Sequence, residues 1–420
     1  MESLPNILLQ IVFWLSVLGL AHSYVLYPAL IRYLARRKRN NREVYDSGDA
    51  PGDWPHVVGV MAVHNEEAVL EATLTSIFAT AYPRDRFELL VAADNCSDRS
   101  VEILNRFKEK HPNLTVREFP GRNGKIRVIN QILGEHRVRL AGKGDYALIL
   151  CDANVRWAPR LVAELVQHFK NDKIGLVSPN ILDGRREHHG IADEEDAYIN
   201  RENAIKLHEG ILWGRMMGAF GACFAMRGRL FEPVPEKFRS DDFTHTIRCF
   251  ELGYDAIVEP GAIAHEDVSE DIWTEFGRKR RISIGNMQNL ERFWRFLLPW
   301  RAGMATAFAF WSHKGLRWFG PFLLLGAFGA SAFLALSSWF YLLAFLGQIA
   351  GVVGASLDSW LAGSGTHLRP LRFARYFMLM NLALGIGIWR FFTEDQAGFW
   401  EPPKRVAAGT ENAALPREAA

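Results

Sequence analysis

The sequence predicts an α/β fold built on a mostly parallel, doubly wound sheet, together with transmembrane α-helices. The first observation lies between Val57 and Asp267, where short apolar runs alternate with helical patterns and acidic residues follow several runs. The second is a pair of long segments, Pro5 to Ile31 and Phe319 to Leu357, that contain no Asp, Glu, Lys or Arg. A chain of 420 residues has room for one large soluble domain and several membrane segments.

The N-terminal apolar segment predicts one transmembrane helix over residues 5–34, because it is long enough to cross a bilayer once. A secretory signal peptide is the alternative. The opening Met-Glu-Ser lacks the basic start of such a peptide, and no small-residue cleavage site follows the apolar core. The basic run Arg36-Arg37-Lys38-Arg39 comes next. By the positive-inside bias it predicts an integral protein of the inner (plasma) membrane whose following domain is cytoplasmic.

The C-terminal part of the chain predicts further membrane contact. Residues 273–318 are basic and aromatic, which is typical of amphipathic helices at a membrane surface. Residues 319–392 predict two or three transmembrane segments, with a turn near Ser337 and Ser338. The last apolar stretch, Tyr376 to Trp389, has about 14 residues and is short for a span, so a span and a re-entrant segment both stay open. The tail, residues 393–420, is predicted to be disordered.

Charge and cysteine usage exclude other classes of protein. The formal net charge is only +2, so the chain has no broad basic field for nucleic acid. The four cysteines, Cys96, Cys151, Cys223 and Cys249, are scattered without a Cys-x-x-Cys spacing. They therefore predict neither a zinc site nor a disulfide framework, and they fit a reducing cytosol.

Apolar runs predict the strands of the soluble domain, and the segments between them predict its helices. The predicted strands are 56–63, 87–93, 114–119, 146–150, 174–178 and 255–259. The predicted helices begin near Glu66 and cover 99–110, 126–133, 160–169, 193–212 and 241–252. The Asx and Ser cluster from Asp94 to Asp98 is a suitable N-cap for the helix 99–110. The Gly- and Ala-rich segment from Met216 to Met226 is expected to lie close to substrate or backbone.

Acidic residues follow the strands in a regular order. Asp94 follows the second strand, Asp152 and Asn154 follow the fourth, and Asp241 and Asp242 lie in a later polar turn. The carboxyl ends of parallel strands share one edge of a sheet, where doubly wound folds bind ligands. An Asp-x-Asn at such an end offers hard oxygen ligands to Mg²⁺ or Mn²⁺ on a diphosphate. An Asx turn that caps the next helix is the alternative, but the accompanying acids favour the metal.

The motifs resemble those of family-2 glycosyltransferases, which have the GT-A fold and use nucleotide-diphosphate sugars. The matching residues in the soluble part are Ala62-Val-His-Asn-Glu-Glu67, Tyr82-Pro83 with Arg86, Ala93-Asp94-Asn-Cys-Ser-Asp98, Cys151-Asp152-Ala-Asn154, Gly221-Ala222, Ser240-Asp241-Asp242-Phe243, Gly253-Tyr254 and Glu259-Pro260. In the flanks, Tyr27-Pro28, Ser312-His313-Lys314, Leu316-Arg317-Trp318 and Trp400-Glu401-Pro402 resemble membrane-bound cellulose and poly-N-acetylglucosamine synthases. The resemblance implies a GT-A domain with a Rossmann-like mixed sheet over residues 54–272.

The resemblance also implies how a donor, expected to be a UDP-sugar, is bound. Residues of the first motif, Ala62, His64, Asn65 and Glu66, would hold its base and ribose together with Asp94. Lys125 would lie near the nucleotide, with an exposed turn lysine as the alternative. Asp152 would bind the metal. Asn154 replaces the commoner aspartate, and its neutral oxygen compensates less charge.

Asp242 takes the position of the proposed general base, with Asp241 beside it to keep its pKa raised. Helix capping is the alternative role for both. Arg278 and Arg281 fall where processive relatives carry Gln-x-x-Arg-Trp, and they are expected to clamp the diphosphate or to attract anionic lipid. His265 is either a further metal ligand or part of a loop near the acceptor.

These features predict an inverting transfer of a sugar from a UDP-sugar to an acceptor at the membrane. A growing exopolysaccharide is the first candidate acceptor. A lipid acceptor, such as ceramide, diacylglycerol or a polyprenol-linked sugar, is the alternative because Ile282 stands where processive relatives have tryptophan. A third hypothesis is a pseudoenzyme that binds a nucleotide sugar, which the retained Asp94, Asp152 and Asp242 disfavour. The apolar segments lack the acidic residues of a transporter.

Overall fold

The fold is that of a computed structural model, which describes residues 4–46, 54–184, 191–267, 269–362 and 368–394. Within these ranges the chain forms two compact units. The helical unit holds residues 4–36, 191–198 and 269–394, and the α/β unit holds residues 37–184 and 199–267. The predicted tail lies outside the described residues from position 395 onward.

Eight strands are present in the described chain. They are β1 Val57–Val63, β2 Phe87–Asp94, β3 Leu114–Phe119, β4 Ala147–Asp152, β5 Arg156–Trp157, β6 Ile174–Asp183, β7 Cys223–Arg227 and β8 Asp255–Glu266. The α-helices are α1 Leu4–Ala21, α2 Tyr27–Ala35, α3 Glu67–Phe78, α4 Ser100–Lys110, α5 Lys125–Ala141, α6 Leu161–Val166, α7 Ala192–Trp213, α8 Asp242–Glu251, α9 Ile272–Phe293, α10 Pro299–Ala302, α11 Met304–Ala309, α12 Leu316–Trp318, α13 Gly320–Leu334, α14 Trp339–Ala362 and α15 Arg369–Thr393.

All eight strands form one mixed sheet in the order β3-β2-β1-β4-β7-β6-β8-β5. The first four are parallel, β7 runs antiparallel to β4 and β6, β8 is parallel to β6, and β5 is antiparallel to β8. The predicted GT-A mixed sheet is therefore confirmed. Strands β5 and β7 are additions to the sequence prediction, and β7 lies in the Gly- and Ala-rich segment that was not predicted as a strand.

The central strands are buried on both faces, which explains their continuous apolar sequences. Six of the seven residues of β1 are buried, and Leu89, Leu90 and Val91 of β2 have no exposed surface. Burying one such side chain stabilises the fold by roughly 1.5–3 kcal/mol. At Gly59 of β1, an added Cβ atom would lie 2.8 Å from the side chain of Leu89. The glycine therefore permits the close contact between neighbouring strands.

Three helices of the described chain are long and apolar enough to cross a membrane: Leu4–Ala35, Trp339–Leu361 and Arg369–Thr393. A fourth span would require the pair Met304–Trp318 and Gly320–Leu334, which is bent by 64°. Helix α15, Arg369–Thr393, is longer than the apolar stretch Tyr376 to Trp389 because the flanking arginines also belong to the helix. The predicted turn at Ser337 and Ser338 lies between α13 and α14.

Two π-helical turns of the helical unit contact each other through polar side chains. One, His22–Leu26, joins α1 to α2, and the other, Phe310–Gly315, joins α11 to α12. The imidazole Nε2 of His22 and the hydroxyl of Ser312 are 2.9 Å apart, and Arg317 donates a hydrogen bond to the carbonyl of Ser23. Polar groups in apolar helices need such partners. These flanking motifs therefore join the N-terminal helix to the bent pair.

Candidate active site

The strand register brings the first site residues together at one edge of the sheet. Ala62 near the end of β1 pairs with Ala92 of β2 on one side and with Asp152 of β4 on the other. Asp94 lies two residues beyond Ala92 and ends β2. The predicted grouping of these strand ends is therefore present in the α/β unit.

Two loops at this edge are joined by hydrogen bonds. Asn65 and Asn95 adopt left-handed backbone conformations, with φ of 54° and 51°, which asparagine accepts more readily than most residues. The side-chain oxygen of Asn65 accepts a bond from the Ser97 N–H at 2.8 Å, and the ring of His64 contacts the carbonyl of Asp94 at 2.6 Å. The Glu66 N–H donates to the Ser100 hydroxyl at 2.9 Å. The predicted donor-binding motif is thus held in a defined shape.

Asp94 is buried and holds a third loop, rather than capping the following helix. Its carboxylate accepts hydrogen bonds from the backbone N–H groups of Asn123 and Gly124, both at 2.8 Å, and from the Arg122 guanidinium at 2.5 Å. The carboxylate at the start of α4 belongs to Asp98, which accepts from the Ser100 N–H at 3.0 Å. Arg122 was not predicted as a site residue. Its position in the same Gly-rich turn as Lys125 was the available signal.

Lys125 begins α5 and directs its ammonium group into the acidic cluster. The Nζ atom lies 2.7 Å from Oδ1 of Asp152, 3.7 Å from Oδ2 of Asp241 and 3.5 Å from the carbonyl of Gly221. Burial lowers the pKa of the lysine, but the charges of Asp152 and Asp241 outweigh it, so the net shift is upward. Lys125 is therefore a charged residue of the site and not an exposed turn lysine.

Asp241 and Asp242 stand at the start of α8 with opposite pKa shifts. Burial and the charge of Asp241 raise the pKa of Asp242. Burial also acts to raise the pKa of Asp241, but Lys125 and other groups outweigh it and lower the net value. The Ser240 hydroxyl donates a hydrogen bond to Asp242, and a Cβ atom at Gly221 would lie 3.4 Å from Oδ2 of Asp242. Asp241 is thus held as an anion, whereas the carboxylate of Asp242 is made more basic.

His245 follows on the same helix and carries no positive charge at neutral pH. Burial lowers its pKa to about 4, even though the nearby Asp241 favours the charged form. The Thr246 hydroxyl, on the next residue, accepts a bond from the Ala219 N–H at 3.0 Å and donates to the carbonyl of Asp242 at 2.8 Å. These contacts tie α8 to the segment that contains Gly221.

The chemistry of Asp152 and Asn154 fits a hard divalent cation. Asp152 offers a partly exposed carboxylate, with 36% of its side chain accessible. The side-chain oxygen of Asn154 is buried and has no hydrogen-bond partner in the described part of the chain. Buried oxygens are rarely left unpaired, and an amide oxygen is a suitable ligand for Mg²⁺ or Mn²⁺. Among the described residues, no three His, Cys, Asp or Glu side chains form a metal site by themselves.

His265 lies on β8, opposite Arg156 of β5. Burial and the charge of Arg156 lower the pKa of His265, so its ring is neutral at neutral pH. A neutral imidazole is the form that binds metals. The expectation that His265 is a further metal ligand stays a prediction.

Arg278 and Arg281 lie on α9 in the helical unit. The Arg278 guanidinium donates to Glu195 at 2.5 Å and to Glu275 at 2.7 Å, and both carboxylates are almost fully buried. Lys279 lies 3.1 Å from Glu275 and 3.3 Å from Glu195. Arg278 therefore belongs to a buried ion cluster within this unit. The diphosphate contacts predicted for Arg278 and Arg281 stay predictions.

A mixed sheet of eight strands, with carboxylates gathered at one edge, is the arrangement of the GT-A fold. Residues 60–234 match the family described as Glycosyl transferase family 2. This part of the chain is therefore similar to family 2 glycosyltransferase domains.

Two curated proteins and one solved structure are examples of proteins that are similar to this chain. "Probable glycosyltransferase YdaM" of Bacillus subtilis (strain 168) is 29% identical over 253 residues, which cover 57% of each chain. "Beta-monoglucosyldiacylglycerol synthase" of Synechocystis sp. (strain ATCC 27184 / PCC 6803 / Kazusa) is 31% identical over 135 residues, covering 31% of this chain and 26% of the relative. The matches thus span between about a quarter and somewhat over half of these relatives.

The solved structure described as "Mannosyltransferase PcManGT from Pyrobaculum calidifontis in complex with GDP-Man and Mn2+" has a TM-score of 0.63 and 21% sequence identity. The superposition covers 91% of this chain and all of that chain. At this identity the likeness shows a shared fold.

Proposed function

We propose that the protein transfers a sugar from a UDP-sugar to an acceptor at the membrane, with inversion at the anomeric carbon. The observation that carries this proposal is the position of the Lys125 ammonium between Asp152 and Asp241, at the carboxyl edge of a GT-A sheet and beside the more basic Asp242. Such an arrangement provides positive charge for a diphosphate and a base for an acceptor within one site.

Donor binding is assigned to the loops at the ends of β1 and β2. Ala62, His64, Asn65, Glu66 and Asp94 hold the base and ribose, and the bonds that join these loops support this role by fixing their shape. A site on rigid elements positions a ligand more precisely than a free loop does.

Diphosphate binding is assigned to Asp152, Asn154 and Lys125. Asp152 and Asn154 would hold Mg²⁺ or Mn²⁺, which when bound offsets the negative charge that develops on the departing diphosphate. The Lys125 ammonium is preorganised beside them and adds a further positive charge. The Mn²⁺ named with the mannosyltransferase structure is in keeping with this assignment.

Proton transfer is assigned to Asp242. Its carboxylate removes the proton from the acceptor hydroxyl while that oxygen forms a bond to the anomeric carbon. The bond from the anomeric carbon to the diphosphate oxygen breaks on the opposite face of the sugar, which inverts the configuration. Burial and the charge of Asp241 raise the pKa of Asp242, so it is a stronger base than an exposed carboxylate.

A lipid hydroxyl is the proposed acceptor. Ile282 replaces the tryptophan of processive relatives, and Arg278 of the same motif is bonded to Glu195 and Glu275. A relative is named as a glucosyldiacylglycerol synthase. A growing polysaccharide is the second candidate, supported by the synthase-like flanking motifs around Ser312 and Arg317.

The proposed location is the inner (plasma) membrane, with the α/β unit in the cytoplasm. Three helices with the length and apolar composition of spans support membrane insertion. The basic run at residues 36–39 supports the orientation.

The test is a donor screen on detergent-purified protein with Mn²⁺, followed by separation of lipid extracts and aqueous polymer. We expect the natural sequence to release UDP, and we expect Asp242→Asn to lower the rate of UDP release at least 100-fold. Asp85→Asn is the matched control, because Asp85 is exposed at the opposite end of β2. Nucleotide binding without any turnover would instead identify a pseudoenzyme. Activity with GDP-sugars alone would overturn the assigned donor, and aqueous polymer would favour the second acceptor.

A further inference from the structure

We propose that Lys125 couples the binding of the divalent cation to the binding of the donor's diphosphate, because the ammonium group and the cation compete for the same carboxylate of Asp152. This inference rests on the metal and diphosphate assignments of the proposed function. It concerns the equilibrium between ligands at that site, and it is tested without turnover.

The geometry gives Lys125 two negatively charged neighbours at once. Its Nζ atom donates to Oδ1 of Asp152 at 2.7 Å and lies 3.7 Å from Oδ2 of Asp241. The carbonyl of Gly221 is a third oxygen, at 3.5 Å. The ammonium therefore neutralises the carboxylate that the cation requires, and three oxygens hold it there.

The backbone of Lys125 is fixed, whereas its side chain is able to move. Gly124 precedes it with φ of 87°, and the Gly124 N–H is bonded to the buried carboxylate of Asp94. A lysine side chain has four flexible methylene groups, so the ammonium is able to leave Asp152 without a change in the start of α5. About a third of the Lys125 side chain is exposed, which leaves room for this movement.

Competition follows from the charges. A divalent cation on the Asp152 carboxylate and an ammonium on the same carboxylate would repel each other, because both are positively charged and would share one small anionic group. A cation that binds alone must therefore displace Lys125 from Asp152. The buried, unpartnered oxygen of Asn154 offers the cation a second protein ligand but no negative charge to offset this loss.

A diphosphate would relieve the competition for Asp152, because its oxygens would bind both the cation and the displaced ammonium of Lys125. The cation then binds more tightly in the presence of the nucleotide than in its absence. By linkage, the nucleotide gains the same factor from the cation. Lys125 thus favours a cation that arrives with its diphosphate over a cation alone.

The measurement is Mn²⁺ binding to the full-length protein in detergent, by electron paramagnetic resonance of free Mn²⁺, with and without UDP. For the natural sequence we expect UDP to tighten Mn²⁺ binding by tenfold or more. For Lys125→Met we expect Mn²⁺ alone to bind about tenfold more tightly than to the natural sequence, and UDP to add little. Lys110→Met, at an exposed position on α4, is the matched control and should behave like the natural sequence.

Two outcomes would overturn the inference: unchanged or weaker binding of Mn²⁺ alone to a folded Lys125→Met protein, or equal coupling by UDP in both proteins. Lys125→Arg keeps the charge, so it should keep the coupling even if the methionine variant fails to fold, and loss of coupling in Lys125→Arg counts against the inference. Failure of the proposed function has a separate signature. Mn²⁺ binding that does not change in Asp152→Asn would refute the metal site itself.

Discussion

The carboxylate of Asp94 accepts a 2.8 Å hydrogen bond from the backbone N–H of Gly124, the residue that precedes Lys125. Asp94, which the sequence associates with nucleotide binding, therefore also fixes the turn that precedes Lys125. Since Asp94 accepts further bonds from Asn123 and Arg122, one buried side chain supports two parts of the proposed donor site. Changes at Asp94 should consequently affect structure and binding together.

Asp94→Asn should weaken both stability and nucleotide binding. The two backbone N–H donors bond different oxygens of Asp94, so an amide keeps an acceptor for one of them but presents an NH₂ donor to the other, and it loses the charge that faces Arg122. Leaving such buried donors unpaired costs about 1–3 kcal/mol, so the melting temperature should fall by several degrees. UDP binding by calorimetry should weaken at least tenfold. Asp85→Asn is the control, and an unchanged melting temperature would contradict the structural role of Asp94.

Asp241→Asn should move the acid side of the activity profile to lower pH. In the proposed mechanism activity requires ionised Asp242, so kcat/KM should fall as the pH drops through the pKa of Asp242. That pKa is raised by burial and by the negative charge of Asp241. Removing the neighbouring charge favours the ionised form, so the pKa of Asp242 falls and the acid limb shifts downward. The measurement is kcat/KM against pH for both proteins, and a shift to higher pH would argue against Asp242 as the base.

Strands β1, β2 and β4 are predictable because parallel strands covered on both faces have continuous apolar sequences. Their ends carry Asp94 and Asp152, so the edge of the sheet is predictable as well. Strand β7 is not, since its antiparallel pairing with β4 and β6 is a tertiary property and its segment is rich in Gly and Ala. Strand β5 has two residues and no sequence period.

The ion pairs of the site depend on the three-dimensional register. Lys125 and Asp152 are 27 positions apart, and only the pairing of β4 beside β1 brings Asp152 into reach of the start of α5. Arg278 and Glu195 are 83 positions apart, with no local pattern to link them. The sequence therefore indicates the residue types at the site, whereas the structure supplies their partners.

Glu195→Gln should destabilise the helical unit. The change leaves Arg278 and Lys279 with Glu275 as their remaining carboxylate in this described cluster, and breaking a buried ion pair costs about 3–5 kcal/mol. Burial raises the pKa of Glu195, but Lys279 and Arg278 outweigh it and lower the net value. Its stabilising contribution is therefore present at neutral pH and is lost as the pH falls through that lowered pKa.

Thermal unfolding in detergent at pH 7 and at a series of lower pH values provides the check. The natural sequence should lose stability on acidification, and Glu195→Gln should lose less because the titrating group is gone. Glu291→Gln, at an exposed position on α9, is the control. Arg278→Gln should show the same loss of stability at pH 7. If Arg278→Gln instead leaves the stability unchanged and raises the KM for the donor tenfold, the result would support the predicted contact between Arg278 and the diphosphate.

The segment from the last turn of α9 to the start of α11 should bind anionic phospholipid. Exposed Arg292, Arg295 and Arg301 alternate with exposed Trp294 and Trp300, and no acidic residue lies between Arg292 and Met304. Tryptophan prefers the level of the lipid headgroups, and each arginine near an anionic surface contributes about 1 kcal/mol. The triple change of these arginines to glutamine should therefore reduce the number of phosphatidylglycerol molecules retained by the protein several-fold.

Native mass spectrometry of protein released from nanodiscs, with equal phosphatidylglycerol and phosphatidylcholine, measures this retention. The matched control replaces Arg84, Arg137 and Arg160, which are exposed in the α/β unit, and it should retain lipid normally. High salt should reduce retention by the natural sequence towards that of the triple variant, because screening weakens charge attraction at an exposed surface. Equal retention of both lipids by the natural sequence would refute charge recognition and leave the tryptophans as the membrane contacts of this segment.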